Sequence, residues 1–521
     1  MDVRQRLTRL NDRVQAVALA AILAGTTLAF GGHVWWSPPW LAGLTAVLVL
    51  GCLARMLLEG RVRFLRSPLS ALGGLALVIG LAQVVPLPPA VAQRVSPASR
   101  AAYAVGFLPD RARTLDPDLE IPEAPVSRTP VSLDRPATVR WVAGGAVCLA
   151  VFWGASQYAD RLGHLYVIWG SVVAAFFVNV SLAVVQIACR AGGLFGLIEP
   201  GRGPVWSPNV NDVLSAPGTR LLRLAGDAQP GHPVWALSVP DRPFSIGSLM
   251  GGPGALLALG SLGLPLALAI TLQLLAPRGS REPLSARLGH TGQGGLVWLL
   301  VVMTAAGAAV LGLLAGTTYC APFALGLLVA GLPCARGTGL RWSAVGLTLL
   351  PVGVLVAGAV LGESWAETRG PLPSPVPPVN YAAAARVWAD ALPIARDFPL
   401  LGTGFGTFAS VYPFYKTQDG SSTTAMSSLL QWWVESGVVG VALLGLAGAW
   451  AASRLPAAVR SVGTADRALA YGLVGAGLTF SVFSAIHWSV ELVAVALAAS
   501  AVLGTCNRWL AGGTDLFVER G

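Results

Sequence analysis

The sequence predicts an all-α integral membrane protein of about twelve transmembrane helices with long outer loops. Three observations carry this expectation. Of 521 residues, 54% are hydrophobic and only 12% are charged, and the mean hydropathy is +0.65. Apolar runs recur at the length of roughly 20 residues needed to cross about 30 Å of hydrocarbon. Arginine is concentrated in alternate connections between those runs, the pattern that marks cytoplasmic loops.

In chain order the first runs lie near 14–31, 40–58, 68–86, 139–158, 164–188 and 246–276. The others lie near 294–315, 320–335, 342–362, 429–453, 468–487 and 489–507. With the N-terminus inside, the cytoplasmic segments hold 19 basic and 8 acidic residues, and the outer segments 16 basic and 15 acidic. The asymmetry places both termini in the cytoplasm. The basic stretch MDVRQRLTRLNDR before the first run resembles the start of a signal peptide. No small-x-small cleavage site follows it, so the run reads as a retained span.

The chain thus divides into three parts. Residues 1–362 form an N-terminal transmembrane region with outer loops near 87–138 and 189–245. Residues 363–428 form a large outer loop, and 429–521 the C-terminal helices with a cytoplasmic tail. In a cysteine-free background, Gly420→Cys is expected to react with an impermeant reagent in intact cells and Gly279→Cys is not. The reverse labelling pattern excludes this topology.

A net charge of +10 invites a nucleic-acid reading, but the arginines are scattered between apolar runs. No basic stripe with interleaved aromatics occurs, so no nucleic-acid partner is expected. Lys416 is the sole lysine. Six cysteines, at 52, 148, 189, 320, 334 and 506, form no CxxC or Cys/His cluster. Neither a disulfide framework nor a zinc site is indicated. Asp116-Pro117-Asp118 has the form of a metal-binding D-x-D or of a solvated turn, and no further ligand accompanies it. Neither a metal nor a cofactor is expected.

One stretch breaks the apolar pattern: residues 380–440 gather Arg, Asp, Tyr, Lys, Gln and Glu at close quarters. Its FPLLGTGFGTF block carries Gly402, Gly404 and Gly406 at alternate positions. Glycine has no Cβ and tolerates positive φ, so such a run either approaches a ligand with its backbone or packs as a tight re-entrant turn. Ser427, Gln431 and Glu435 lie four apart and share one helix face. Glu435 would sit about two turns below the interface, where ionisable groups face a bundle interior or a wet cavity. Trp432 and Trp433 suit an interfacial aromatic belt. His487 and Glu491 form a second deep pair, in reach of each other if one helix runs through both.

The 380–440 stretch resembles the core signature of the O-antigen ligase and polymerase family of bacterial membrane proteins. Arg386, Trp388, Phe398-Pro399-Leu400, Gly402, Gly404, Phe405-Gly406, Phe408, Tyr412-Pro413 and Tyr415 fall in the family's order, as do Leu430, Gln431, Glu435 and Gly437. Two departures stand out. The family's His-Asn falls at Met426-Ser427, and the outer turn that usually carries Ser-Arg reads AGTTYCAPF here. The segment RPFSIGSLMGGPG, which includes Arg242, matches the family's corresponding segment only in part.

The resemblance implies an O-antigen ligase-like fold in the bacterial cytoplasmic (inner) membrane. It implies transfer of a glycan from a polyprenyl (undecaprenyl) diphosphate carrier to a glycan or lipid acceptor hydroxyl at the outer face, among membrane lipids. The leaving diphosphate calls for fixed cations, and arginine answers with a permanent charge and a planar fork. Arg386 matches the family's loop arginine and is the diphosphate candidate, or else pairs with Asp390 at i,i+4. Arg396, Lys416 and Arg242 are further cationic candidates, and Gln431, Tyr412 and Tyr415 further substrate contacts. Met426 has no useful basicity, so the acceptor's proton falls to His487, Glu435 or Glu491, with His487 favoured for an unperturbed pKa of about 6.5. The alternative is a non-catalytic membrane protein that binds lipid-linked glycan or assists its transport.

Overall fold

The computed structural model describes residues 3–28, 37–60, 67–104, 128–188, 253–276, 293–335, 341–369, 381–417, 422–463, 466–487 and 492–512. It also describes two small antiparallel pairs in the second predicted outer loop, Ile198–Glu199 with Gly203–Pro204 and Pro233–Val234 with Leu237–Ser238. The other described residues are helical or irregular. The helices are α1 (Val3–Leu28), α2 (Ser37–Glu59), α3 (Pro68–Val84), α4 (Pro89–Val95), α5 (Pro97–Ala104), α6 (Arg135–Tyr158) and α7 (Leu162–Ala188). They continue with α8 (Pro253–Leu275), α9 (Gln293–Gly331), α10 (Arg341–Arg369), α11 (Tyr381–Asp397) and α12 (Phe408–Val411). The last three are α13 (Ser428–Ser461), α14 (Arg467–Ile486) and α15 (Val493–Leu510).

Among the described residues, nine helices are long and apolar enough to cross a membrane, and Pro68–Val84 and Tyr319–Ala335 are shorter apolar helices. Local chemistry sets several starts. Ser67 caps α3 by accepting from Leu69 N–H, Asp134 caps α6 by accepting from Ala137 N–H, and Ser427 caps α13 by accepting from Leu430 N–H. Each satisfies a donor that the first helical turn leaves open. The apolar runs at 294–315 and 320–335 remain two helical segments of α9, separated at Gly316, where the backbone is not helical (φ 62°, ψ 180°). There Thr317 donates both its N–H and its hydroxyl to Glu363 Oε1, at 2.9 and 2.7 Å.

α8 is the central helix, buried along its apolar span and packed by α7, α9 and α14. Small residues allow that closeness, as expected where lipid supplies no hydrophobic drive between helices. Phe176 of α7 fills the space left at Gly260 and Gly263 of α8 and Gly307 of α9, where a Cβ would lie 3.2, 2.8 and 2.9 Å from its ring or Cβ. At one end of the bundle a second apolar cluster forms from Val387, Ala391, Ile394, Phe398, Phe408 and Val411, among others. It fastens α11 and α12 to the start of α13, and carries the chemistry-bearing stretch.

Candidate functional site

The site is built on a break. α13 is interrupted at Gly437 (φ 62°, ψ −161°), which frees backbone groups that water cannot reach in a membrane. The glycine block takes them up. Thr403 and Gly404 donate N–H groups to the carbonyls of Val434 and Glu435, both at 3.0 Å, and Val438 and Val439 donate to the carbonyls of Pro399 and Leu400 at 2.8 and 3.3 Å. Loop and broken helix therefore complete each other as one hydrogen-bonded unit.

Two buried side chains lock that unit. Glu435 Oε2 accepts from Gly406 N–H at 2.7 Å, and its Oε1 accepts from Phe408 N–H and Gln431 Nε2, each at 3.1 Å. Gln431 Oε1 in turn accepts from Ala425 N–H at 3.1 Å. From the far side, Gln83 at the end of α3 accepts from Phe405 N–H at 3.0 Å and donates to the carbonyls of Leu401 and Glu435 at 2.7 and 3.1 Å. The glycines have to be glycines for reasons of space as well as φ. A Cβ on Gly402 (φ 67°) would lie 2.3 Å from the carbonyl carbon of Glu435, and one on Gly437 2.4 Å from the Leu400 oxygen. Of the two uses open to a glycine run, the structure adopts the packed turn.

The segment that leads into α6 joins the glycine block here. Leu133 N–H donates to the Thr403 carbonyl at 2.9 Å, and Ser410 Oγ donates to Asp134 Oδ2 at 2.6 Å. Burial pushes the Asp134 carboxyl up, but the bonds from Ser410 and Ala137 and the nearby Arg140 charge outweigh it and hold the carboxyl below its ordinary range. Trp141 of α6 stacks on Phe405 with ring centroids 3.8 Å apart, and Trp432 meets Phe405 edge-on at 5.0 Å. Trp432 thus belongs to the loop's aromatic support, while Trp433 is exposed. Arg135 and Arg140 are exposed at this same end of α6.

The sequence-predicted residues separate into distinct roles. Arg386 and Arg396 are exposed on α11, and Lys416 is half-buried just beyond Tyr415. The Tyr412 hydroxyl donates to Asp390 Oδ2 at 3.1 Å, and the Tyr415 hydroxyl to Asp397 Oδ2 at 2.7 Å. Burial first, and the carboxylate partner second, raise both phenols above their ordinary values, so each acts as a donor. Asp390, the i,i+4 neighbour of Arg386, is buried and also accepts from Thr417 Oγ1 at 2.8 Å.

His487 lies one residue beyond α14, with extended backbone (φ −144°, ψ 150°). The helix ends there, so the helical i,i+4 geometry proposed for His487 and Glu491 does not apply. Its buried ring stacks on Phe483 at 4.7 Å, and a Cβ on Gly254 would come within 2.9 Å of Nε2. Ser428 donates its N–H and hydroxyl to the His487 carbonyl at 3.3 and 3.2 Å, and Ser427 Oγ donates to the Ala485 carbonyl at 2.7 Å. These bonds bring the stretch that begins at Met426, where the family signature has its histidine, to the end of α14. Met426 itself has φ 54°, a region uncommon for residues other than glycine, asparagine and aspartate. Glu491 and Arg242 lie outside the described residues.

Sequence reasoning missed Gln83, Trp141, Arg135 and Arg140. A signal existed for Gln83: a lone amide at the end of an apolar run, which has to find partners. Among the described residues no group of three or more His, Cys, Asp or Glu is placed to hold a metal ion. No protein-family model matches the chain, and comparison with curated proteins gives no match.

Proposed function

We propose that the chain transfers a glycan from a polyprenyl diphosphate carrier to an acceptor hydroxyl at the outer face of a bacterial inner membrane. α1 and the two shorter apolar helices complete twelve spans in this reading, with both termini cytoplasmic. The observation that carries the proposal is that the 398–437 signature segments form one locked unit, flanked at that end of the bundle by the exposed arginines Arg386, Arg396, Arg135 and Arg140. Rigid backbone with cations around it suits a leaving diphosphate, whose charge rises as the glycosyl bond breaks. Arg386 contacts the diphosphate, and its loss removes a charge-assisted contact of roughly 1.5–3 kcal/mol. Arg386→Ala is therefore expected to weaken carrier binding about ten- to a hundredfold. Arg386→Lys restores it only in part, because a point charge replaces the fork. Carrier affinity unchanged in a correctly inserted Arg386→Ala protein rules out this role.

His487 takes the acceptor's proton in this reading. The support is its position against the Met426–Ser428 stretch, and the occupation of both Glu435 oxygens by backbone donors. His487→Ala is expected to reduce turnover by about 10²-fold or more while leaving carrier affinity within twofold of wild type. Equal turnover in the two proteins removes His487 from the mechanism.

A binding-only reading is favoured by the same commitments of Glu435 and by the His487 ring's enclosure between Phe483 and Gly254. Here the chain holds lipid-linked glycan without turning it over. Reconstitution with a synthetic lipid-linked glycan and an acceptor separates the two readings by the presence or absence of product. In a deletion strain, single repeats accumulating on the carrier indicate a polymerase, and complete chains without their acceptor indicate a ligase.

A further inference from the structure

At the opposite end of the bundle the last turns of α2, α6 and α15 meet α1. α6 carries Trp141 at the glycine block and Gln157 at this far end, about 24 Å away at 1.5 Å per residue. The helices enclose a cavity of about 30 Å³ whose lining includes Gln15, Arg55, Glu59, Gln157, Asp160 and Arg508.

The guanidinium of Arg55 is only partly used. Its Nε donates to Glu59 Oε1 at 2.9 Å and its Nη2 to Asp160, whose other oxygen lies 2.7 Å from His164 Nδ1. Its Nη1 is buried with no hydrogen-bond partner among the described residues, and so are Nε2 of Gln15 and Nε2 of Gln157. Gln15 is 0% exposed, and its Oε1 accepts the Cys52 thiol at 3.5 Å. That contact occupies the amide's oxygen and leaves its N–H₂ as the open end. Asp12 Oδ1 is a buried acceptor in the same condition, while its Oδ2 lies 3.4 Å from Arg161.

Three buried donors around one small cavity call for an acceptor, because buried polar groups are almost always paired. The space admits one or two oxygen-sized atoms. Its walls hold two guanidinium groups and two carboxylates, and three helix C-termini add negative partial charge. Such walls do not favour a free phosphate dianion. They match a zwitterion that turns its phosphate to Arg55, Gln15 and Gln157 and its ammonium to Glu59.

We propose that this cavity binds the headgroup of a zwitterionic phospholipid with a primary amine, a phosphodiester of the ethanolamine class. The non-ester oxygens of the phosphate enter the cavity and accept from Arg55 Nη1 and the two glutamine amides. The ammonium and the glycerol remain at the mouth, at the membrane surface. The site is separate from the glycine block and independent of the reaction assigned to it.

The test uses the full chain purified in a phosphate-free glycoside detergent and titrated with dihexanoyl phosphatidylethanolamine while thermal unfolding is followed. A saturable rise in Tm is expected with this lipid, and none with inorganic phosphate or with dihexanoylglycerol. The near-isosteric variants Gln15→Met and Gln157→Met each remove one donor and are expected to weaken the apparent affinity tenfold or more. Native mass spectrometry of the wild-type protein supplies a measurement that does not depend on the variants folding, and one retained ethanolamine lipid per chain is expected. The proposal is overturned by an equal response to dihexanoyl phosphatidylglycerol or to inorganic phosphate, which indicates a simple anion site. It is equally overturned by no saturable response at all, which leaves the cavity to water.

Discussion

Gly402→Val is expected to leave no folded protein, and Gly402→Ala to destabilise the fold by about 3–6 kcal/mol. The reason is double. Gly402 has φ 67°, and its missing Cβ would lie 2.3 Å from the carbonyl carbon of Glu435 and 2.5 Å from the nitrogen of Ser436. Those neighbours are backbone, so no side chain can swing away to make room. Moving them would break the bonds from Thr403 and Gly404 to the carbonyls of Val434 and Glu435. Domain stabilities run about 5–15 kcal/mol, so even the alanine variant gives up a large share. Thermal unfolding in detergent checks this against Gly445→Ala, where a Cβ meets nothing within 4 Å. Similar midpoints for Gly402→Ala and Gly445→Ala contradict the close packing of loop and break.

Glu435 supplies the second large effect. Glu435→Leu strands the N–H groups of Gly406 and Phe408 and the amide of Gln431. At about 1–3 kcal/mol for each buried donor left unpaired, the loss is about 3–6 kcal/mol after partial relaxation. Glu435→Gln keeps one carbonyl acceptor and is expected to lose about half as much. The two variants also separate structure from chemistry. If Glu435 acts by positioning the loop, turnover per folded molecule in Glu435→Gln stays within about tenfold of wild type. A loss of 10²-fold or more in a Glu435→Gln protein of normal fold assigns it a direct part in proton transfer.

Much of the helical layout was legible because membrane spans declare themselves by length and composition alone. Helix lies over each of the twelve apolar runs read from the sequence. The joins were harder to see. The break at Gly316 follows the gap between the runs at 294–315 and 320–335, but the bond from Thr317 beside it to Glu363, 46 residues on, is one that no local pattern reveals. The same holds for the site. The spacing of Gln431 and Glu435 correctly placed them on one face, and their 3.1 Å contact follows from it. What they hold did not follow, since the glycine block returns to them from more than 25 residues upstream. Gln83 joins from over 300 residues away. The helical pairing of His487 with Glu491 was conditional on one continuous helix, and the chain leaves the helix at Ile486; the single-residue gap between the runs at 468–487 and 489–507 gives only weak punctuation there.

The central claim is that the locked glycine unit and its arginines handle a lipid-linked diphosphate, and single-turnover transfer in proteoliposomes tests it most directly. Purified wild-type chain, a synthetic polyprenyl diphosphate-linked glycan and an excess of acceptor are mixed, and product is followed by mass. The expected result is transfer of the glycan with release of polyprenyl diphosphate, and a carrier requirement about ten- to a hundredfold higher in Arg386→Ala. Tight binding of the carrier without any product in wild type would contradict transfer and leave the chain as a binding protein.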